Sequence, residues 1–255
     1  MSETEHRYFI RLAYNGENYN GWQIQENALS VQAAVNNALS AIFKADINVV
    51  GCGRTDTGVH AKKFYAHFDL AKSFTTTEKN EIIRKLNGYL PSDISINSIL
   101  PVTPEAHARF DAIFRTYQYF ILRKKDPFYK EYSYYVYGDL DVDLMNRGAD
   151  ILFKYQDFTS FSKTKTQVKT NICKLKHARW EQKDHLLVFT ITADRFLRNM
   201  VRAIVGTLLD VGRGKNSLSD LRMIIENKNR SDAGYSVPAR GLFLTEVEYP
   251  AEIFL

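Results

Sequence analysis

Arg54 and Asp56 stand two residues apart in Gly53-Arg54-Thr55-Asp56-Thr57-Gly58-Val59-His60, a glycine-flanked stretch suited to presenting one carboxylate. Such a carboxylate can attack an electrophilic carbon, stabilise developing positive charge, or move a proton. The stretch follows an apolar, strand-like segment (Ile47, Val49, Val50) and passes through Gly51 and Gly53, where the backbone can turn sharply or approach a ligand. Asp56 is therefore expected at a strand end. On these residues alone two other readings stay open. Asp-Thr-Gly is ordinary turn chemistry, and Arg54 with Asp56 can form a surface ion pair of little worth.

Two further groups of residues have the types that a polyanion site uses. Arg195, Arg198 and Arg202 recur at spacings of three and four, so on a helix over about 196–210 they share one side, either a solvated face or the lining of an anionic site. Arg115, Tyr117 and Tyr119 alternate on one face of a strand, which serves core packing or base stacking equally well. Basic residues also gather at Lys62–Lys63, Arg123–Lys125 and Lys163, Lys165, Lys169, Lys174 and Lys176, several beside Tyr or Phe. Cations hold phosphates and aromatics stack bases, although a lysine run is also what a solvated face looks like. The six histidines show no paired spacing for a metal, and Cys52 and Cys173 fall in no ligand or redox spacing. Asp56-Thr57-Gly58 is also the aspartic-protease tripeptide, but its only near copy, Asp232-Ala233-Gly234, lacks the hydroxyl residue.

The elements that must position these groups alternate strand and helix. A strand over 6–14 leads into a glycine-punctuated loop with Tyr19 and Trp22. A helix follows, with Ser30 as N-cap and Val31, Ala34, Val35, Ala38, Leu39, Ile42 and Phe43 on its apolar face. Strands at 47–54 and 62–69, a helix over 77–87 and a strand from Ile94 complete an order of strand-helix-strand-strand-helix-strand. The order then recurs: strands at 115–122 and 132–137, a helix at 141–155, strands at 172–180 and 185–193, helices at 196–210 and 217–227, and a strand at 242–249. This predicts an α+β protein of two ferredoxin-like (split βαβ) halves, residues 1–106 and 107–255, joined near Pro101 and Pro104, with a cleft between them.

Composition fits a folded, water-exposed chain. Of 255 residues 45% are apolar and 25% charged, and Lys plus Arg exceed Asp plus Glu by 34 to 29, a mild excess that leaves a polyanion plausible as partner. The polar, acidic start does not read as a leader, no uncharged apolar stretch approaches bilayer length, and the two cysteines suit a reducing compartment. A cytoplasmic, membrane-free protein is expected.

Taken in order along nearly the whole chain, these segments resemble the bacterial tRNA pseudouridine synthase A family. The pieces are Tyr19-Asn20-Gly21-Trp22-Gln23-Ile24-Gln25 with Ser30-Val31-Gln32, and Gly53-Arg54-Thr55-Asp56-Thr57-Gly58-Val59-His60-Ala61. Next come Leu90-Pro91-Ser92-Asp93-Ile94, His107-Ala108-Arg109-Phe110, Arg115-Thr116-Tyr117-Gln118-Tyr119 and Asp157-Phe158. The stretch Phe196 to Gly206 and Gly241-Leu242-Phe243-Leu244 complete the set. The resemblance implies two ferredoxin-like halves sharing a curved, mainly antiparallel sheet. It also implies a homodimer that binds tRNA and converts uridine 38, 39 or 40 of the anticodon stem-loop to pseudouridine without metal or cofactor. It assigns catalysis to Asp56, base stacking to Tyr117, extrusion of the base to Arg54, pairing with the aspartate to Arg202, and substrate binding also to Leu242. Lys62, Arg109, Arg115, Arg195 and Arg198 become candidates for tRNA contact. Thr57 stands where the family usually has alanine, a small-for-small exchange. The alternative from another class is a non-catalytic RNA-binding module that uses the sheet as a stacking platform. An acid at position 56 weighs against it, because a carboxylate repels phosphate.

Overall fold

The structure is a computed structural model that describes residues 6–163 and 170–255. Lys165 and Lys169 of the basic run, and the chain up to Glu5, lie outside those residues. The fold is α+β, and it divides into two units. One runs to Ile113 and also takes in Leu244–Leu255; the other is Phe114–Phe243.

In the first unit the order is β1 (His6–Tyr14), α1 (Val31–Phe43), β2 (Val50–Gly51), β3 (His60–Leu70), α2 (Thr76–Tyr89) and β4 (Ile94–Pro101). β1 pairs antiparallel with β3 and with β4, and β2 pairs antiparallel with β3. Strand alternation puts Tyr8, Ile10, Leu12 and Tyr14 of β1 on one face, all buried. Phe9 points the other way and is buried too, against the rings of Tyr249 and Phe254 at 5.2 and 6.1 Å. Burial of such a ring stabilises by about 2–3 kcal/mol. It explains why the last residues of the chain belong to this unit. Backbone pairing ties them in as well, with Thr103 donating to the Ile253 carbonyl and Leu255 to that of Pro101. Helix α1 begins where Ser30 caps it, its hydroxyl accepting from the Ala33 amide, and α2 starts with a full capping box between Thr75 and Glu78.

The second unit contains β5 (Phe114–Leu122), β6 (Tyr134–Tyr135), α3 (Val142–Leu152), β7 (Leu175–Lys183), β8 (Leu186–Ala193), α4 (Met200–Gly212) and α5 (Leu218–Glu226). β8 lies between β5 and β7, antiparallel to both, and β6 adds to β5 in parallel. Helix α4 is apolar nearly all round and correspondingly buried from Met200 to Leu209 apart from Arg202. The final strand β9 (Leu242–Glu248) carries the chain from this unit back to the first.

Besides end shifts of up to three residues, as at α3 and β7, three elements differ from the sequence expectation, each for a traceable reason. The strand expected at 47–54 is only the two residues of β2. The preceding backbone is bonded to side chains of α1 instead of a strand: Ile47 N–H donates to Ser40 Oγ, Val49 N–H to Asn36 Oδ1, and the Val49 carbonyl accepts from Gln32 Nε2. The Tyr-rich strand at 132–137 shrinks likewise to β6, because Arg123 donates to the carbonyls of Val136 and Gly138. Helix α4 starts at Met200 and not at 196, since Asn199 before it takes a left-handed conformation (φ 69°) that a helix cannot continue through.

Candidate active site

The loop carrying Asp56 joins β2 to β3, so Asp56 sits in a turn and not on the expected strand end. The Asp56 carbonyl accepts from Val59 N–H at 3.1 Å, which closes a four-residue turn whose third position, Gly58, has φ +76°. A positive φ there is the reason for glycine. The loop is fastened to the Tyr14–Trp22 segment at several points. Thr55 is buried, its hydroxyl 2.9 Å from the Tyr14 hydroxyl, and Gly58 N–H donates to the Tyr19 carbonyl at 3.3 Å. A Cβ on Gly21, itself at φ +85°, would lie 2.2 Å from the Thr55 carbonyl oxygen, and one on Gly16 would lie 2.0 Å from that of Val59. Two stretches of backbone thus run in contact on both sides of Asp56. His60 is buried, and its Nδ1 accepts from Gly16 N–H at 3.1 Å, which in the neutral ring leaves the proton on Nε2. Its role is to hold the loop.

Around this clamp the aromatic side chains are packed. Trp22 stacks on Phe64 with centroids 4.0 Å apart, and the indole occupies the space a Cβ on Gly51 would need. Tyr19 donates to Asp93 Oδ1 at 2.7 Å; burial first, and then the Asp93 carboxylate, push its phenol well above the ordinary range, so it stays neutral. Gly53 differs from the other loop glycines: a Cβ there would meet nothing within 4 Å.

Asp56 is half-buried, and Arg54 is exposed. Among the described residues Arg54 has no hydrogen-bond or ion-pair partner, so the surface pair between Arg54 and Asp56 that the sequence left open does not form. Lys62 on β3 and Arg109 are exposed, the latter with its guanidinium 5.7 Å from the ring of Phe110.

The remaining candidates lie in the second unit. Tyr117 stands on β5 opposite Ile191 of β8, half-buried, with the ring of Phe196 edge-on at 5.2 Å. Tyr119 on the same face is fully buried, donates to the Pro238 carbonyl at 2.8 Å and presses against Gly241, so core packing accounts for it. Burial above all raises its phenol far beyond the usual range, with the charge of Arg202 opposing. Arg202 lies in the first turn of α4, half-buried, its Nε donating to the Val237 carbonyl at 2.7 Å. Arg195 and Arg198 precede that helix, so the shared helical side expected for the three arginines does not exist. Arg195 is half-buried beside Asp194, whose carboxylate accepts from its amide, and Arg198 is exposed. Arg115 donates to the Asp194 carbonyl at 2.8 Å, and Leu242 is buried at the start of β9. Among the described residues no group of His, Cys, Asp or Glu could hold a metal ion, and no helix is long and apolar enough to cross a membrane.

A family model described as tRNA pseudouridine synthase matches residues 155–250. A Bacteroides fragilis protein named tRNA pseudouridine synthase A is 55% identical over 249 residues, which covers 97% of this chain and 98% of that protein. The chain belongs to the tRNA pseudouridine synthase A family. Porphyromonas gingivalis and Clostridium acetobutylicum proteins of the same name are 53% and 40% identical, covering 98% and 94% of this chain and 99% and 98% of their own. As a member of the pseudouridine synthase family, this chain is an enzyme that converts uridine to pseudouridine. That assignment disposes of the protease reading of Asp56-Thr57-Gly58. Asp232 of the apparent second copy is an exposed turn residue accepting from Asn227 and Asn229. Sequence reasoning missed Tyr14, Gly16 and Gly21 as supports of the Asp56 loop. The glycines themselves were the available signal, though not what they lie against.

Proposed function

We propose that the enzyme isomerises uridines 38, 39 and 40 in the anticodon stem-loop of tRNA, with Asp56 as the catalytic carboxylate. The single observation that carries this reading is a half-buried aspartate on a loop that backbone contacts on both sides hold in place, in a chain of this family. Preorganisation of that kind is what a carboxylate acting on a ribose carbon requires.

The reaction breaks N1–C1′, rotates the uracil and forms C5–C1′; C5 then gives up its proton to a base and N1 gains one, so the product is an isomer of the substrate. Atoms and electrons balance within the nucleotide, so no redox partner, metal or group donor is needed. The target base must leave the stack, which costs a few kcal/mol. In this reading Arg54 reaches towards the RNA to hold the base out, for which its exposed side chain is suited. Tyr117 stacks on the extruded uracil and Leu242 adds an apolar contact. Arg202 pairs with Asp56, for which a guanidinium fixed through Nε is well prepared. Lys62, Arg109, Arg115, Arg195 and Arg198 hold phosphates. Residues 1–106 with the Asp56 loop and 107–255 with Tyr117 and Arg202 are the two ferredoxin-like halves of this reading. The strand order β4-β1-β3-β2 supports that description for the first half. The working form is a cytoplasmic homodimer.

Asp56→Ala is expected to abolish pseudouridine formation while tRNA binding persists. Purified variant and parent are incubated with unmodified tRNA, and the product is mapped by carbodiimide-blocked primer extension. Full activity in the variant removes Asp56 from its role; modification outside positions 38–40 by the parent overturns the site assignment.

A further inference from the structure

The strap of chain between α5 and β9 has no part in the reading above, yet it determines where Arg202 points. Arg202 and Val237 bond each other twice. The Arg202 Nε donates to the Val237 carbonyl at 2.7 Å, and the Val237 amide donates to the Arg202 carbonyl at 3.3 Å. Whatever fixes Val237 therefore helps to fix the guanidinium through Nε.

The strap is seated along one side of α4. At Gly206 a Cβ would lie 1.9 Å from the Tyr235 carbonyl oxygen, so strap and helix backbone touch there. One residue on, Thr207 Oγ1 accepts from Gly234 N–H at 2.8 Å. Before the helix, Asn199 Nδ2 donates to Ser236 Oγ. Residues 202 and 206 lie four apart, so within α4 the strap follows a single helical face, and Asn199 holds it just before the helix begins.

Arg230 organises the strap itself. One nitrogen of its guanidinium, Nη1, donates to the carbonyls of Ala233 and Gly234 at 3.3 and 3.1 Å, and Nη2 donates to Ser236 Oγ at 2.8 Å. The Ser236 hydroxyl oxygen thus receives both Asn199 and Arg230, one residue before Val237. Only a planar fork reaches all three acceptors, and lysine does not replace it.

We propose that Arg230 is a positioning residue for Arg202: it locks the Ala233–Ser236 strap so that the Val237 carbonyl orients the Arg202 guanidinium. The proposal rests on the reading that Arg202 serves catalysis. In this proposal Arg230 acts through Arg202 and not on the substrate.

The test compares kcat and KM on a tRNA transcript, together with thermal unfolding, for the full-length Arg230→Ala, Arg230→Lys, Ser236→Ala and Arg202→Lys variants and for Arg202→Lys combined with each of the first and third. Arg230→Ala is expected to lower kcat at least about tenfold with KM within about twofold, and Arg230→Lys to restore little of it. In the Arg202→Lys background, where the Nε donor is gone, Arg230→Ala is expected to add less than about twofold, because both changes remove one interaction. If Arg230→Ala does not fold, Ser236→Ala carries the test, with a smaller loss of kcat that likewise vanishes in the Arg202→Lys background. A wild-type kcat in Arg202→Lys overturns both the role of Arg202 and this inference. A slow Arg202→Lys with a normal or fully additive Arg230→Ala overturns the inference alone.

Discussion

Gly21→Ala is the sharpest perturbation of the Asp56 loop that leaves every loop residue in place. Two costs add. A side chain at φ +85° is strained by roughly 1–2 kcal/mol. The new methyl would also stand 2.2 Å from the Thr55 carbonyl oxygen, where ordinary contact begins at 3.4 Å, so Thr55 must retreat by about 1 Å. Forcing such a shift into packed structure costs about 1–3 kcal/mol, and a total loss of about 2–5 kcal/mol is expected. Asp56 follows Thr55 directly, and a misplacement of about 1 Å lowers catalysis by about 100-fold. Gly53→Ala is the control. It lies on the same loop with open space around it and no positive φ, so its stability should stay within about 0.5 kcal/mol of the parent. Urea unfolding followed by circular dichroism gives the stability, and single-turnover pseudouridine formation under conditions where each variant is folded gives the rate. A Gly21→Ala variant as stable as the parent refutes the packing argument. One that is destabilised but turns over at the parental rate refutes the coupling from Thr55 to Asp56.

His67 should make the first unit sensitive to acid. Burial first, then the neighbouring His107 and Arg7, push its imidazole down to about 4, while in the unfolded chain it titrates near 6.5. The fold therefore holds the neutral ring and the unfolded chain takes up a proton, so stability is present above pH 6.5 and is lost as pH falls towards 4. Urea midpoints at pH 7, 6 and 5 should show that decline, and His67→Gln should flatten it; an unchanged slope in the variant refutes the assignment. Ending the chain at Glu248 removes the rings of Tyr249 and Phe254 from Phe9, the Tyr249 hydroxyl from the Ala108 carbonyl, and the backbone bonds to Pro101 and Thr103. At roughly 1 kcal/mol per hydrogen bond and more per ring, the loss of several kcal/mol is a large part of a typical total stability. Amide exchange in β1 and β4 should accelerate strongly, and unaltered protection there would show that the segment is dispensable.

What was legible in the sequence was governed by local periodicity. Strands β1, β3 and β5 and helices α1 and α2 stand where alternation or a three-four repeat put them, with Ser30 capping α1 as its position suggested. What was not legible depended on partners far along the chain. The apolar run before Gly51 has a strand's composition, but Gln32, Asn36 and Ser40 take its backbone bonds, and no pattern within the run reports that. The arginines at 195, 198 and 202 have helical spacing, yet the left-handed Asn199, tied to Ser236, ends that regularity. Tyr117 and Tyr119 are equivalent by alternation; only Pro238 and Gly241, more than a hundred residues on, separate the buried one from the half-exposed one. For Asp56 the residue was legible and the means of holding it was not, because Gly16, Gly21 and Tyr14 act through contacts with Thr55 and Val59 that spacing does not reveal.

The return of Leu244–Leu255 to the first unit sets the timing of biogenesis. During synthesis the residues of Phe114–Phe243 all emerge before the piece that covers Phe9, so the unit that leads in sequence is the last to be completed. Until then the side of β1 that carries Phe9 lacks the rings of Tyr249 and Phe254. The segment 244–255 is thus the piece on which the first unit waits, although the supports of the Asp56 loop itself, Tyr14, Gly16 and Gly21, lie early in the chain.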